Sequence, residues 1–295
     1  MLEHALTTTF VQTSDAFKYA EMVGLTSRSV TTYAAAKGLQ YEMFLGIKKG
    51  VHPWQATFNR VFILDELIER GATGWVCYMD ADAWIEDQSF DLESYLDPHA
   101  DRAAIFASSL ASDNWWDVNA GVFFLNLSNE VGVRFAREWK ARCLEAWPRI
   151  EHMTNFPQGG PDDQSILHEI LAASSEYEAA IWVESPDLIN SAWATFIRQH
   201  LRSNASDLRS RVAHIREEIS RILDSGLSNE GTALSGSAVD IVAGLYEGIL
   251  GRPADGGSGN PYVRTVERRG VREGVSTVAN YMINSDEFRS KLASG

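Results

Sequence analysis

The sequence predicts an α/β protein: an open, mostly parallel sheet with flanking helices, followed by a small all-helical domain. Three observations predict it. Runs of β-branched and aromatic residues alternate with helical patterns between Thr7 and Leu45. The run Gly74-Trp75-Val76-Cys77-Tyr78-Met79 reads as a strand buried on both faces, and it ends in two carboxylates, Asp80 and Asp82. After a Gly- and Ser-rich stretch the composition shifts to apolar helical stripes alone. The expected domains are therefore residues 1–224, a linker over 225–237, and a helical domain over 238–295.

Thr7 to Thr13 is the first strand, and Ser14 or Asp15 can cap the helix after it. The first strand-to-helix loop of such folds commonly receives a nucleotide, which makes Thr13, Ser14 and Tyr19 candidates for nucleoside contacts. Gly38 stops a second helical segment, and Tyr41 to Leu45 is the next strand. Phe58, Val61, Phe62, Leu64, Leu67 and Ile68 recur at helical spacing up to Gly71. Arg60 on that helix could reach a diphosphate or simply be solvated.

A buried strand cannot carry two charges through its middle, so Asp80 and Asp82 belong at its carboxyl end, the edge where ligands bind in open α/β sheets. Residues i and i+2 of an extended chain point the same way. Both acids can then meet one hard cation, with Ala81 small enough not to crowd it. Such a pair suits holding a divalent metal against a diphosphate; a solvated turn would carry the same residues.

Ala103 to Ala107 reads as a strand, and the loop Ser112 to Asp117 carries Trp115 and Trp116, which could stack on an acceptor sugar or pack inward. Val118 to Asn126 is a strand entered through Asn119-Ala120-Gly121, where small residues let a ligand approach the backbone and Asn119 can both donate and accept. A helix follows from about Asn129 to Ala146. In Gln158-Gly159-Gly160-Pro161-Asp162-Asp163-Gln164, one aspartate caps the next helix and the other is left over, with Gln164 in the first turn. A late strand at Ile181 to Val183 precedes His200, which lies between Arg198 and Arg202. Imidazole can complete a metal site and arginines can meet a diphosphate. Ser206 to Leu223 is a long helix with charges including Arg209, Arg211, Arg216 and Arg221 along one side.

The net charge of −14 argues against a nucleic-acid partner. The hydrophobic share of 45% is enough for a sizeable core. Cys77 and Cys143 have neither disulfide-framework nor zinc spacing and read as packed thiols. No basic-then-apolar leader and no membrane-length apolar run is present, so a cytoplasmic protein is expected.

In their order along the chain, Tyr78-Met79-Asp80-Ala81-Asp82-Ala83, then Asn119 to Asn126, then Asp162-Asp163-Gln164-Ser165, then His200 carry a resemblance. Residues 7–202 resemble nucleotide-sugar glycosyltransferases of the GT-A (Rossmann-like) fold, and among them the GT34-like galactosyl/mannosyl/xylosyl transferase family with retaining chemistry. The resemblance implies transfer of a hexose or pentose from a nucleoside diphosphate sugar, UDP-linked, to a hydroxyl of a glycan, glycolipid or protein. It implies Asp80, Asp82 and His200 as ligands of Mn²⁺ (or Mg²⁺). It places Asn119, Ala120 and Gly121 around the sugar, and Asp162, Asp163 and Gln164 facing sugar and acceptor. The surroundings of His200 depart from that family's histidine–glycine segment, which leaves His214 as an alternative ligand. Residues 238–292 look like the DUF4214 module of bacterial proteins, through Leu245 to Pro253 and Ser285-Asp286-Glu287-Phe288-Arg289. A non-catalytic nucleotide-sugar or carbohydrate-binding protein is the alternative of another class. A phosphoryl-transfer enzyme is disfavoured by the lack of a Gly-x-x-x-x-Gly-Lys loop.

Overall fold

A computed structural model describes residues 8–157, 160–200, 207–229, 238–246, 250, 252–257, 260–283, 285 and 287 of the 295-residue chain. The chain divides into two compact units, Met1–Asn229 and Glu230–Gly295. In the first, β1 (Thr8–Ser14), α1 (Ala20–Lys37), β2 (Gln40–Leu45), α2 (Asn59–Glu69) and β3 (Trp75–Asp80) follow in order. Then come β4 (Ala83–Ile85), α3 (Leu92–Leu96), β5 (Ala104–Ser108), β6 (Val118–Asn126) and α4 (Glu130–Ala146). The unit ends with α5 (Asp163–Ala172), α6 (Ser175–Ala180), β7 (Ile181–Glu184), β8 (Ile189–Ser191), β9 (Ile197–Gln199) and α7 (Leu208–Asn229). Helix α7 thus continues through residues 225–229 of the expected linker.

A six-stranded sheet has the order β2-β1-β3-β6-β5-β7, and a three-stranded sheet the order β4-β9-β8. In β3, Trp75, Cys77 and Met79 pack into one apolar cluster with Phe10, Val30 and Tyr33, while Val76 and Tyr78 pack into another with Phe58, Leu64 and Phe135. Burial on both faces is why this strand reads as an unbroken apolar run. Each large side chain so buried contributes roughly 1.5–3 kcal/mol. The alternation carries Asp80 to the side of Tyr78, toward α2. Burial also explains the two thiols: both are buried and unbridged, and burial pushes the Cys77 thiol up.

One strand of the mostly parallel sheet runs against the others. β6 is antiparallel to both β3 and β5. The connection from β5, residues 109–117, holds no helix, and a parallel pairing needs a crossover of about a dozen or more residues. The reversal matters for function. With Met79 opposite Val122, the start of β6 lies beside the end of β3, so Asn119, Ala120 and Gly121 come next to Asp80. A parallel β6 would have left them at the far edge.

The smaller sheet performs a second delivery. β4 follows immediately after Asp82 and pairs with β9, Ala83 opposite Gln199. α7 packs Ile215, Ile219 and Ile222 against Met22 and Leu25 of α1 and against Trp84. Ion pairs of Arg198 with Glu86 and Glu218, and of Arg221 with Glu86 and Glu218, tie the same helix to β4 and β9.

In the second unit, α8 (Ala238–Leu245) and α9 (Pro261–Ile283) enclose Val242, Tyr246, Val263, Val266, Val278 and Met282. The two helical segments expected around Val263 and Val275 are one continuous helix, opened by Pro261, whose missing N–H costs nothing in a first turn. Of the expected final capping segment, Asp286 and Phe288 lie outside the described residues.

Candidate active site

At the carboxyl ends of β1 and β3 lies a cavity of about 520 Å³, within the range of small-molecule sites. It gathers side chains far apart in the chain: Thr13, Ser14, Tyr19, Arg60, Asp80 and Asp82 from its first third, then Asn119, Gly121, Asp162, Asp163 and Gln164. Ala81 also lines it. Ala120 does not, but it serves through its backbone: its carbonyl accepts from Arg60 Nη1, and its N–H donates to Gln164 Oε1 at 3.1 Å.

Asp80 and Asp82 converge. Gln199 Nε2 donates to Asp80 Oδ2 at 3.3 Å and to Asp82 Oδ1 at 2.9 Å. Gly121 makes this approach available: a Cβ there would stand 2.3 Å from Gln199 Nε2. Glycine at this position therefore admits the Gln199 amide between β6 and the acidic turn. On its other oxygens Asp80 accepts from Arg60 Nη2 at 2.9 Å, and Asp82 pairs with Arg211 Nη2. Tyr78 OH, 3.3 Å from Asp80 Oδ1, is also 2.8 Å from Thr13 Oγ1, which links the first strand to the same carboxylate.

The second acidic pair is split. Asp162 is the N-cap of α5, accepting from Ser165 N–H at 2.7 Å. Asp163 begins the helix, is buried, and forms an ion pair with Arg60, its Oδ2 lying 3.1 Å from Nε. Burial pushes its carboxyl up to about 6, with the Asp162 and Asp80 charges adding to the rise and Arg60 opposing it. Arg60, buried between Asp163 and Asp80, is held firmly protonated by the two carboxylates even though desolvation works against its charge. It is not the solvated helix arginine that an amphipathic pattern allows.

Gln164 presents its amide oxygen to the Ala120 N–H, so its amide nitrogen points away from that contact. Asn119 uses Oδ1 to accept from Gly121 N–H at 2.9 Å. Ser14 Oγ donates to the Asp15 carbonyl at 2.9 Å. Asp15 accepts from the N–H groups of Phe17, Lys18 and Tyr19 and shapes a turn, so α1 starts at Ala20 rather than directly after Asp15.

Several expected groups are not in the cavity. Arg198 faces Glu86 and Glu218, away from both aspartates. His200 reaches the acidic turn through its backbone, donating N–H to the Asp82 carbonyl at 2.9 Å, while its buried ring lies 4.8 Å from that of His214. Burial, then the neighbouring His214 and Arg211, hold its imidazole toward the neutral form. Trp115 and Trp116 pack against the core, Trp116 near His168. Arg202 lies outside the described residues, as do Gln158 and Gly159.

The cavity has members that sequence reading did not assign to it: Gln199, Arg211, Trp54 and Phe156. Trp54 and Phe156 meet edge to face at 5.8 Å and give it an aromatic wall. Arg211 had a signal: it precedes Ile215 by one helical turn and so shares the face of Ile215, Ile219 and Ile222.

The acidic turn fits a hard divalent cation. Two carboxylates present oxygens to one amide group, that of Gln199, whose Oε1 is buried with no hydrogen-bond partner among the described residues, as is Nε2 of the next residue, His200. Among those residues, no three or more His, Cys, Asp or Glu side chains are already arranged as a metal site; Arg211 holds one oxygen of Asp82.

No protein-family profile matches the chain, and no curated protein matches it. Among solved structures it is similar to a glycosyltransferase involved in the glycosylation of the major capsid of PBCV-1, at 13% identity and a TM-score of 0.51, covering 72% of this chain and 99% of that one. The chain has a glycosyltransferase fold. It is also similar to GlyE of Streptococcus pneumoniae TIGR4, at 13% identity and a TM-score of 0.47, over 81% of this chain and 73% of GlyE. No helix among the described residues is long and apolar enough to cross a membrane.

Proposed function

We propose that the first unit transfers a hexose or pentose from a nucleoside diphosphate sugar, with UDP as the nucleotide, to a hydroxyl of a glycan, glycolipid or protein acceptor, with retention. The observation that carries this reading is the convergence of Asp80, Asp82, Asp163, Gln164 and Asn119 with the first strand-to-helix loop on one cavity. Asp80 and Asp82 would hold Mn²⁺ or Mg²⁺, completed by His200 or by the Gln199 amide oxygen. The ion would supply Lewis-acid neutralisation of the leaving diphosphate.

The chain's own groups do the rest. Thr13, Ser14 and Tyr19 receive the nucleoside. Asn119 and the Gln164 amide nitrogen meet sugar hydroxyls, which need both donors and acceptors. Arg60 pairs with both Asp80 and Asp163, so the carboxylates need not reorganise as the anomeric carbon becomes cationic. Trp54 and Phe156 offer an apolar face to the acceptor ring.

The test is thermal unfolding of the full chain with a panel of nucleotide sugars, with and without Mn²⁺, followed by donor hydrolysis in the absence of acceptor. A cation-dependent rise in melting temperature with one UDP-sugar, together with slow hydrolysis, is expected. Binding without hydrolysis or transfer to any hydroxyl acceptor would leave a sugar-nucleotide binding protein instead. No binding at all would overturn the reading.

A further inference from the structure

We propose that Arg211 is the residue that grips the donor diphosphate, turning from Asp82 to the phosphates when the donor enters. This rests on the donor reading above and adds to it a residue on α7. The cavity is lined by the carboxylates of Asp15, Asp80, Asp82, Asp162 and Asp163 and, among the described residues, by two guanidiniums, those of Arg60 and Arg211. A dianionic group entering such a site needs a cation with donors to give.

Every nitrogen of Arg60 is already engaged by the protein. Its Nε donates to the Thr57 carbonyl and pairs with Asp163, its Nη1 donates to the Ala120 carbonyl, and its Nη2 donates to Asp80. Arg211 is the opposite case. It is 5% exposed, yet only Nη2 makes hydrogen bonds among the described residues, to Asp82 Oδ2 and to the His200 carbonyl. Its Nε is buried with no acceptor among the described residues. A buried guanidinium donor left unpaired is costly, and phosphate oxygens in a planar, two-pronged contact are what the guanidinium fork matches best. The group also lies 6.0 Å from the Tyr19 ring, at the loop proposed to receive the nucleoside, so it stands between nucleoside and acidic turn.

The helix supports the role. Ile215, Ile219 and Ile222 anchor α7 to α1 and Trp84, so the backbone that carries Arg211 is fixed while its long side chain can swing. Arg198, one of the arginines that the sequence suggests for the phosphates, is occupied by Glu86 and Glu218.

The experiment is calorimetric titration of the full-length wild type, Arg211→Gln, Arg211→Lys and Arg216→Gln with UDP and with uridine, in the presence of Mn²⁺. Arg216 is on the same helix but its side chain is 55% exposed and pairs with Glu21, so its variant controls for lost charge. Arg211→Gln is expected to weaken UDP by about 10- to 100-fold, the worth of charge-assisted contacts, and to leave uridine within about 2-fold. Arg211→Lys, which keeps the charge and loses the fork, is expected to lie between; Arg216→Gln is expected to match wild type. Equal affinity of wild type and Arg211→Gln for UDP would overturn the proposal while the donor reading stands. Should both Arg211 variants unfold, the Nε–H resonances of wild-type arginines decide: one buried resonance must move with UDP and not with uridine, and none moving overturns the proposal. If the wild type binds neither ligand, the donor reading fails and the proposal with it.

Discussion

Two acidic pairs face the same cavity, and their spacing gives them opposite arrangements. Asp80 and Asp82 are separated by one residue on a chain leaving a strand, so their carboxylates stay together and share the Gln199 amide. Asp162 and Asp163 are adjacent at a helix start, so they diverge: one turns back to cap, the other turns inward to Arg60. The first pair has the geometry to meet one ligand jointly. The second divides into a structural acid and a buried, charge-tuned one. Arg60 joins the pairs, since it holds one member of each.

The largest effect should come from breaking the joint pair. Asp82→Ala removes a carboxylate proposed to hold the cation and releases Arg211, and on that proposal sugar transfer from the donor is expected to fall by about 10³-fold or more, the worth of several kcal/mol. The fold should survive, because Asp82 is held at a turn rather than in the core. Circular dichroism together with a transfer assay separates the two. Turnover that is unchanged under excess chelator would show that the pair does not hold a cation.

Next in size is the bridge. Arg60→Ala leaves Asp80 and the buried Asp163 without their shared counter-charge. Removing one partner of a buried ion pair costs about 3–5 kcal/mol, and chemical denaturation should read a loss of that order. If Arg60 were a solvated helix residue, the change would stay within about 0.5 kcal/mol.

Smaller again is a pH effect confined to the inward acid. The Asp163 carboxyl is pushed from 3.8 to about 6 in the folded chain, so between these values the folded state holds a proton that the unfolded state has lost. Its contribution to stability is therefore fully present below about 4 and is lost as pH rises through about 6, a change on the order of 3 kcal/mol. That is the reverse of an ordinary salt-bridged carboxylate. Unfolding free energies of wild type and Asp163→Asn should show the wild-type advantage shrinking across this window. Turnover should rise over the same window in wild type, as Asp163 ionises, and lose that inflection in Asp163→Asn.

How much of this was legible in the sequence follows from which interactions are local. The end of β3 was legible because an apolar run stopped by carboxylates has few physical solutions. The Asn119-Ala120-Gly121 entry and the split of Asp162 from Asp163 were legible for the same reason. The direction of β6 was not, because hydrophobic period is blind to strand polarity; only the short 109–117 connection carried that information. Gln199 and Arg211 were not legible either. Their partners are 117 and 129 residues away in the chain; nothing in a neutral amide marks such a contact, and the helical spacing of Arg211 from Ile215 gives its face but not its partner. His200 and Arg198, which look more chemical in sequence, flank Gln199 in β9, and pleating turns the middle residue toward the aspartates and its neighbours elsewhere.

The smallest effect belongs to the outward member of the split pair, and it makes the comparison quantitative. Asp162→Ala removes the acceptor for Ser165 N–H at the start of α5. Cap losses of this type cost about 0.5–2 kcal/mol, well below the cost expected for Arg60→Ala. Asp162→Asn retains the cap oxygen and should recover most of the loss. It should also relax Asp163, because the Asp162 charge contributes to the raised Asp163 carboxyl: the inflection in turnover should move to lower pH in Asp162→Asn while stability stays close to wild type. An unmoved inflection would mean that burial and Asp80 alone set the Asp163 carboxyl, and that the two adjacent acids are independent of each other in charge as well as in position.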